Sequence, residues 1–207
     1  MIDIVLRSGY RDRMSFDYVV NIARYNGGMK IETLLDMLKN GKVPYMDSII
    51  NLKGIPKHGD PFSVFIYEVY RFLNVKGEEV IDIGANIGDT AVYLGVNDAK
   101  RVIAFEPYEP FFDLLLENVK VNRLNDKVVP VKMGYGVNGD QTCGLDELMR
   151  KFGIEGGVLK MDCEGCEYSL IYESDSTMRK FKRIEIEFHK GIQDLANKLK
   201  KVGFKLR

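Results

Sequence analysis

The residues with the clearest chemical signature follow a short apolar run, in the segment VIDIGANIGDT that begins at Val80. Asp82 ends the run, and Gly84 and Gly88 lie in the turn that follows. Glycine permits a tight turn and lets the backbone approach a ligand closely, as the loop between a strand and a helix in a nucleotide-binding unit requires. A dinucleotide would favour the spacing Gly-x-Gly-x-x-Gly, which this loop lacks. The segment therefore predicts a site for a nucleoside ligand without a pyrophosphate.

Two carboxylates favour a ligand with a positive end and a ribose. S-adenosylmethionine carries an ammonium and a sulfonium but no phosphate, so Asp82 would favour its amino-acid moiety, directly or through water. Glu106 ends the next apolar run, VIAFEP, where a carboxylate can accept hydrogen bonds from both ribose hydroxyls. We therefore predict S-adenosylmethionine as cofactor and S-adenosylhomocysteine as product. The predicted cofactor-binding residues are Asp82, Gly84, Ala85, Asn86, Gly88, Asp89, Thr90, Glu106, Pro107 and Asp162.

A second group of titratable residues lies in the segments KMDCEGCE and IEIEFH, later in the chain. Asp162 and Glu164 could orient an acceptor hydroxyl or amine, lie against the sulfonium, or contribute to a divalent-metal site. His189 could remove a hydroxyl proton during methyl transfer, with Glu187 as a candidate to orient its ring. Alternatively, Glu164 only caps a helix, His189 only holds a loop, and Glu167 is solvated. We predict His189, Asp162 and Glu164 as catalytic residues and assign no metal ligands.

The motif C-x-x-C at Cys163 and Cys166 raises a zinc or redox interpretation. Zinc would need two further ligands, and only Cys143 and His189 could supply them. We favour a third interpretation, in which both cysteines are small packing residues. Three cysteines are too few for a secreted disulfide framework, and no signal peptide or membrane-spanning run is present, so we expect a cytoplasmic protein.

The elements that position these residues alternate between strands and helices from Val80 onward. Short β-branched runs separated by amphipathic helices are typical of a parallel sheet buried on both faces. The fold class is therefore α/β, a doubly wound, mostly parallel sheet of order 3-2-1-4-5 with the ligand at its switch point. The predicted strands are Val80–Ile83, Val102–Phe105, Val128–Met133, Val158–Met161 and Arg183–Phe188, with helices around Phe111–Val119, Leu145–Phe152 and Gly191–Lys201.

The chain divides into an N-terminal helical cap, residues 1–75, and a ligand-binding domain, residues 76–207. Helices are predicted at Phe16–Tyr25, Ile31–Asn40 and Ser63–Leu73. This extension covers one edge of the sheet or acts as a lid over the acceptor pocket. At the other terminus, GFKLR could add an edge strand, and an edge left open could be covered by a second copy of the chain.

From Val80 to its end, the sequence resembles the FkbM family of S-adenosylmethionine-dependent methyltransferases. The matching segments are VIDIGANIGDT, VIAFEPYEPFFDLLLENVKVN, LDELMRKFG, VLKMDCEGCEYSLI and RIEIEFHKG. The resemblance implies a Rossmann-like class I methyltransferase that transfers a methyl group to a hydroxyl of a small molecule, sugar or lipid. It also implies adenine contacts near Met133, Gly134 and Tyr135. The segment VKMGYGVNGDQTCG is shorter than is typical of the family.

Overall charge does not select a macromolecular partner, because 30 basic residues balance 30 acidic residues. The family resemblance and the titratable His189 lead us to expect a small-molecule acceptor rather than nucleic acid. A nucleic-acid methyltransferase that uses the basic C-terminal end and a binding protein without activity are the alternatives. A dinucleotide oxidoreductase is a further alternative that the glycine spacing disfavours.

Overall fold

A computed structural model of the chain describes residues 2–5, 11–14, 37, 39–54, 61–136 and 142–206. In chain order, strands β1 to β11 are Ile2–Val5, Arg11–Met14, Lys42–Tyr45, Ser48–Asn51, Glu79–Ile83, Arg101–Phe105, Val128–Val131, Gly134–Tyr135, Thr142–Cys143, Gly157–Met161 and Phe181–Ile186. The helices with complete bounds, α1 to α5, are Asp89–Val96, Glu109–Val121, Leu145–Phe152, Asp175–Met178 and Gln193–Lys201. A π-helical turn spans Phe62–Ile66, and 3₁₀ turns span Arg71–Leu73 and Cys166–Tyr172.

The central sheet has five parallel strands in the order β11-β10-β5-β6-β7. This is the predicted 3-2-1-4-5 order, so the α/β doubly wound fold is confirmed. The three middle strands β10, β5 and β6 are almost completely buried, as expected for strands covered by helices on both faces. The direction of winding reverses at β5, and a crevice opens there at the carboxyl ends of the strands.

Alternate side chains of the sheet enter two separate apolar clusters, one on each face. Val80 and Val102 pack with α1, α2 and the N-terminal part of the chain. Ile81 and Ile103 pack with α3 and α5 on the opposite face. Because residues two apart share a face, Asp82 and Lys160 lie on the first face, under the N-terminal region.

The described part of the N-terminal region contains hairpins that the sequence did not lead us to expect. β1 pairs with β2 and β3 with β4, both antiparallel. The predicted helix Ser63–Leu73 is replaced by a π-helical turn and a 3₁₀ turn. The predicted helix Phe16–Tyr25 lies outside the described residues, and Ile31–Asn40 is described only in part, as helix at residues 37, 39 and 40.

Asn118 of α2 and Asn122, which directly follows this helix, join the β3–β4 hairpin to the sheet domain. Asn118 is fully buried; its Oδ1 accepts from the Lys53 amide at 2.6 Å, and its Nδ2 donates to the Ile87 carbonyl at 2.8 Å. Asn122 pairs with both backbone groups of Asn51. The same helix therefore holds the N-terminal region and the loop after β5 in a fixed relation.

At the opposite edge, β11 has no further strand beside it in the described part of the chain. Residues 203–206 of the GFKLR segment are not a strand, so that expectation was wrong. None of the helices in the described ranges has the length and apolar character of a membrane-spanning segment.

Candidate functional site

A cleft of about 590 Å³ opens at the carboxyl ends of β5, β10 and β11. The sheet forms its floor, the loop after β5 forms one side, and the N-terminal region forms an apolar wall. The lining residues are Ser63, Val64, Val69, Tyr70, Gly84, Asn86, Asp89, Thr90, Phe111, Lys160, Asp162, Glu185, Ile186 and Glu187. Five of the predicted site residues are among them: Gly84, Asn86, Asp89, Thr90 and Asp162.

The two glycines of the loop serve close packing within the chain. Gly84 has φ +78°, and a Cβ atom there would lie 1.7 Å from the carbonyl oxygen of Asp162. Gly88 has φ +89°, and its Cβ would lie 2.6 Å from a methyl carbon of Leu115 in α2. The sequence led us to expect that these glycines let the backbone approach a ligand. In the structure they let the backbone approach Asp162 after β10 and Leu115 in α2.

Asp82 lies beneath the cleft and does not line it. Its carboxylate is completely buried, with Oδ1 3.0 Å from the Lys160 Nζ and Oδ2 accepting from the Thr90 hydroxyl at 2.8 Å. Lys160 also donates to the Gly84 carbonyl at 3.0 Å. The expected attraction of Asp82 for a cationic ligand therefore needs correction, because Lys160 already neutralises this carboxylate and the pair fixes the loop.

Glu106 follows β6, as predicted, and is 6% exposed. One carboxylate oxygen accepts from the Asn86 amide at 2.9 Å and the other from the Tyr108 amide at 2.8 Å. Burial raises the pKa of Glu106, although these amides act in the opposite direction. Each oxygen retains a second lone pair, so the carboxylate can also accept from a ligand hydroxyl.

The other predicted residues of the cofactor side have distinct positions. Ala85 is fully buried, and its amide donates to the Phe105 carbonyl. Asp89 begins α1, and its Oδ1 accepts from the Thr90 amide at 3.0 Å. Pro107 is exposed after Glu106 and lies outside the cleft lining. The loop is thus preorganised by its own hydrogen bonds, with Asn86, Asp89 and Thr90 facing the cleft.

His189 has a partner that the sequence did not reveal. Glu167, expected to be solvated, is completely buried; its Oε1 accepts from the His189 amide and contacts the ring Nδ1, both at 3.1 Å. Its Oε2 accepts from the Gly165 amide at 2.8 Å. Burial alone would raise the pKa of Glu167, but these hydrogen bonds outweigh it and lower the pKa. The hydrogen bond to Glu167 in turn raises the pKa of His189.

The Nε2 atom of His189 points toward the other two predicted catalytic residues. It lies 3.8 Å from Asp162 Oδ1 and 3.5 Å from Glu164 Oε2. Asp162 lines the cleft, whereas His189 and Glu164 are not among its lining residues. The three side chains offer ligand atoms within 4.8 Å of one another, a set that can hold a divalent cation.

Cys163 and Cys166 form a disulfide across the turn that carries these acids. The interpretation of both as small packing residues was therefore wrong. Zinc ligation is equally inconsistent with this state, because a disulfide sulfur is not a thiolate ligand. Cys143, the expected third sulfur, is buried on the other face of the sheet.

The expected adenine contacts are only partly described. Tyr135 is buried, and its hydroxyl donates to Glu173 at 3.0 Å within the core of the second face. None of Met133, Gly134 and Tyr135 lines the cleft, and residues 137–141 of the same segment lie outside the described residues. Adenine recognition at this segment stays a prediction.

Three titratable cleft residues were missed at the sequence level: Lys160, Tyr70 and Glu185. A signal for two of them was present, because Lys160 shares a strand face with Asp162, and Glu185 shares one with Glu187. Lys160 Nζ also lies 5.6 Å from the centre of the Tyr70 ring. Nothing in the local sequence pattern placed Tyr70 at the cleft, since its position depends on how the N-terminal region packs.

Comparison with known proteins gives the class of fold. The METTL16 MTase domain superposes with a TM-score of 0.60 over 99% of this chain and 78% of that chain, at 14% identity. The FkbM methyltransferase from Methylobacillus flagellatus KT gives 0.49 over 61% of this chain and 36% of that chain, at 22% identity. Methanocaldococcus jannaschii Trm5 in complex with adenosine gives 0.46 over 69% and 40%, at 16% identity. The fold is that of the Rossmann-like class I methyltransferases.

Comparison of the sequence with known proteins does not define the type of methyltransferase more closely. No family model matches the chain. Uncharacterized protein 158B of Sulfolobus islandicus rod-shaped virus 1 is 28% identical over 134 residues, which are 64% of this chain and 74% of that protein. The chain spans well under half of the FkbM and Trm5 chains that it matches.

Proposed function

We propose that the protein is an S-adenosylmethionine-dependent methyltransferase of FkbM type that methylates a hydroxyl group of a small molecule, sugar or lipid. The observation that carries the proposal is the cleft at the switch point of the sheet, which a preorganised glycine loop lines on one side. The amide of Asn86 in that loop donates to the carboxylate of Glu106, at the end of the next strand. Glu106 can take ribose hydroxyls, while Asn86, Asp89 and Thr90 line the cleft where the amino-acid end would lie. The described residues of the lining include no arginine that could bind a phosphate.

When bound, S-adenosylmethionine supplies a methyl group on a positively charged sulfur. Transfer of that methyl group to an acceptor hydroxyl would release one proton, which a residue of this chain has to accept. The hydroxyl proton passes to Nε2 of His189, because Glu167 holds the other ring nitrogen as the donor. Asp162, between the cleft and this imidazole, orients the acceptor and stabilises the imidazolium that forms. Glu164 adds a second carboxylate beside the same nitrogen.

The decisive experiment is calorimetric titration of the purified protein with S-adenosylmethionine, S-adenosylhomocysteine and NAD in parallel. We expect the first two to bind and NAD not to bind. Preferential binding of NAD, or binding of none of the three, would contradict the proposal. A positive result would be followed by a screen of hydroxyl acceptors with isotopically labelled methyl donor, which separates an enzyme from a binding protein.

A further inference from the structure

The acceptor side of the cleft carries an excess of negative charge. It arises because alternate residues of a strand point to the same face of the sheet, and several of those residues are acidic here. Residues paired in register on adjacent parallel strands share a face, and Lys160 is paired with Asp82 on one side and Glu185 on the other. Glu187, two residues further along the chain, follows on the same face, and its amide donates to the Met161 carbonyl. The floor of the cleft therefore places Glu185 and Glu187 next to Asp162.

Among the described residues that line the cleft, Lys160 is the only basic one, against four acidic residues, Asp89, Asp162, Glu185 and Glu187. Its charge is already matched by Asp82, 3.0 Å from Nζ. Within the described ranges, neither Glu185 nor Glu187 forms an ion pair with a basic side chain. Burial raises the pKa of both carboxyls, and the negative charge of Asp162 raises that of Glu187 further. The positive charge of Lys160 lowers the pKa of both carboxyls, and His189 lowers that of Glu187, but neither offsets burial, so a further positive charge would stabilise both carboxylates.

Glu185 and Glu187 lie far from the glycine loop, so a positively charged group that they bind would belong to the acceptor and not to the cofactor. The glycine loop follows β5, whereas Glu185 is on β11, two strands away. Adjacent strands lie about 4.8 Å apart, so the two sides of the cleft are separated by roughly 10 Å. Val64, Val69 and Tyr70 close the cleft above the sheet and leave room for a small ligand.

We propose that the methyl acceptor carries a protonated amine, which Glu185 and Glu187 bind while its hydroxyl lies near Asp162. This inference rests on the proposed function and narrows it to cationic acceptors, such as an amino sugar or an amino alcohol. A phosphate-rich acceptor is disfavoured, because its charges would face four carboxylates in a partly desolvated cleft.

Spermidine is a suitable probe, because it presents protonated amines on a flexible chain. It is titrated into the protein saturated with S-adenosylhomocysteine, and separately into the protein alone. We expect one saturable site whose affinity falls at least tenfold in the double variant Glu185→Gln/Glu187→Gln and weakens as salt concentration rises. The matched control Glu117→Gln removes one charge from the exposed outer face of α2 and should leave binding unchanged.

The outcomes separate this inference from the proposed function. Absence of spermidine binding, or equal binding by the double variant and the control, would overturn the inference of a cationic acceptor even if S-adenosylhomocysteine binds. If the unmodified protein does not bind S-adenosylhomocysteine, the proposed function itself would be overturned. The glutamine variants keep the size and shape of the side chains, and their melting temperatures test whether folding is retained.

Discussion

The loop after β5 and the turn after β10 lie side by side at the cleft, yet they are stabilised in different ways. The first, residues 84–90, is mostly buried, and van der Waals contacts with Asp162 and Leu115 leave no room for side chains at its glycines. The second, residues 162–167, carries exposed Glu164, and a buried carboxylate, Glu167, connects it to His189. Close packing and a buried ion pair therefore fix the cofactor side, whereas partly exposed charges and the Glu167–His189 hydrogen bonds shape the acceptor side. Changes on the first side should affect stability and binding, and changes on the second should affect turnover.

The largest effect is expected for Lys160→Met, which removes one member of the buried ion pair below the loop. Asp82 would be left as a buried, uncompensated charge, so the free energy of unfolding should fall by about 3–5 kcal/mol, measured by urea denaturation. The double variant Asp82→Asn/Lys160→Met should recover much of this loss. Equal stability of the single variant and the parent would mean that the pair does not stabilise the cofactor side.

Gly84→Ala should lower the free energy of unfolding by about 3 kcal/mol, because it combines a left-handed backbone with a steric clash. Gly77→Ala is the matched control, since Gly77 has φ +71° but no atom within 4 Å of the added Cβ. The control should cost only about 1 kcal/mol, from backbone strain alone. Similar losses in the two variants would show that contact with Asp162 is not what requires glycine.

On the acceptor side, His189→Ala should leave S-adenosylhomocysteine affinity unchanged and lower the rate of methyl transfer about a hundredfold. The base must be neutral, so the rate should increase with pH through the raised pKa of His189, above its ordinary value of 6.5. Glu167→Gln removes the main cause of that rise and should move the midpoint to lower pH. A cofactor-affinity loss in His189→Ala would contradict the division between the two sides.

The smallest effect is expected for Glu106→Gln, which should weaken S-adenosylhomocysteine binding about tenfold, or about 1.4 kcal/mol. Gln keeps an oxygen acceptor for one backbone amide but removes the charge that strengthens hydrogen bonds from ribose hydroxyls. Calorimetry measures the change, with Glu117→Gln as the control. Undiminished affinity would mean that Glu106 only supports the loop through Asn86 and Tyr108.

Much of the fold could be predicted because each strand of the sheet is a short apolar run with clear limits. The strands beginning near Val80, Val102 and Val158 and the helix Leu145–Phe152 lie where the sequence places them. The N-terminal region could not be read in the same way, since the β3–β4 hairpin depends on contacts with Asn118 in a distant helix and Asn122 directly after it. The helical periodicity of Ser63–Leu73 did not produce an α-helix. The segment instead forms two short turns, and some of its residues line the cleft.

The sequence by itself determined that the chain forms a doubly wound α/β sheet with a glycine loop after the first strand and a carboxylate after the second. These features are local, because the two-residue period of a strand and the conformational freedom of glycine act within a few positions. Only the tertiary structure decided that Lys160 neutralises Asp82 and that Glu167 holds His189. Asp82 and Lys160 lie 78 positions apart in the sequence, and Glu167 and His189 lie 22 apart. Because burial strengthens electrostatic interactions, the energy of each charge depends on a partner that only the folded chain brings near.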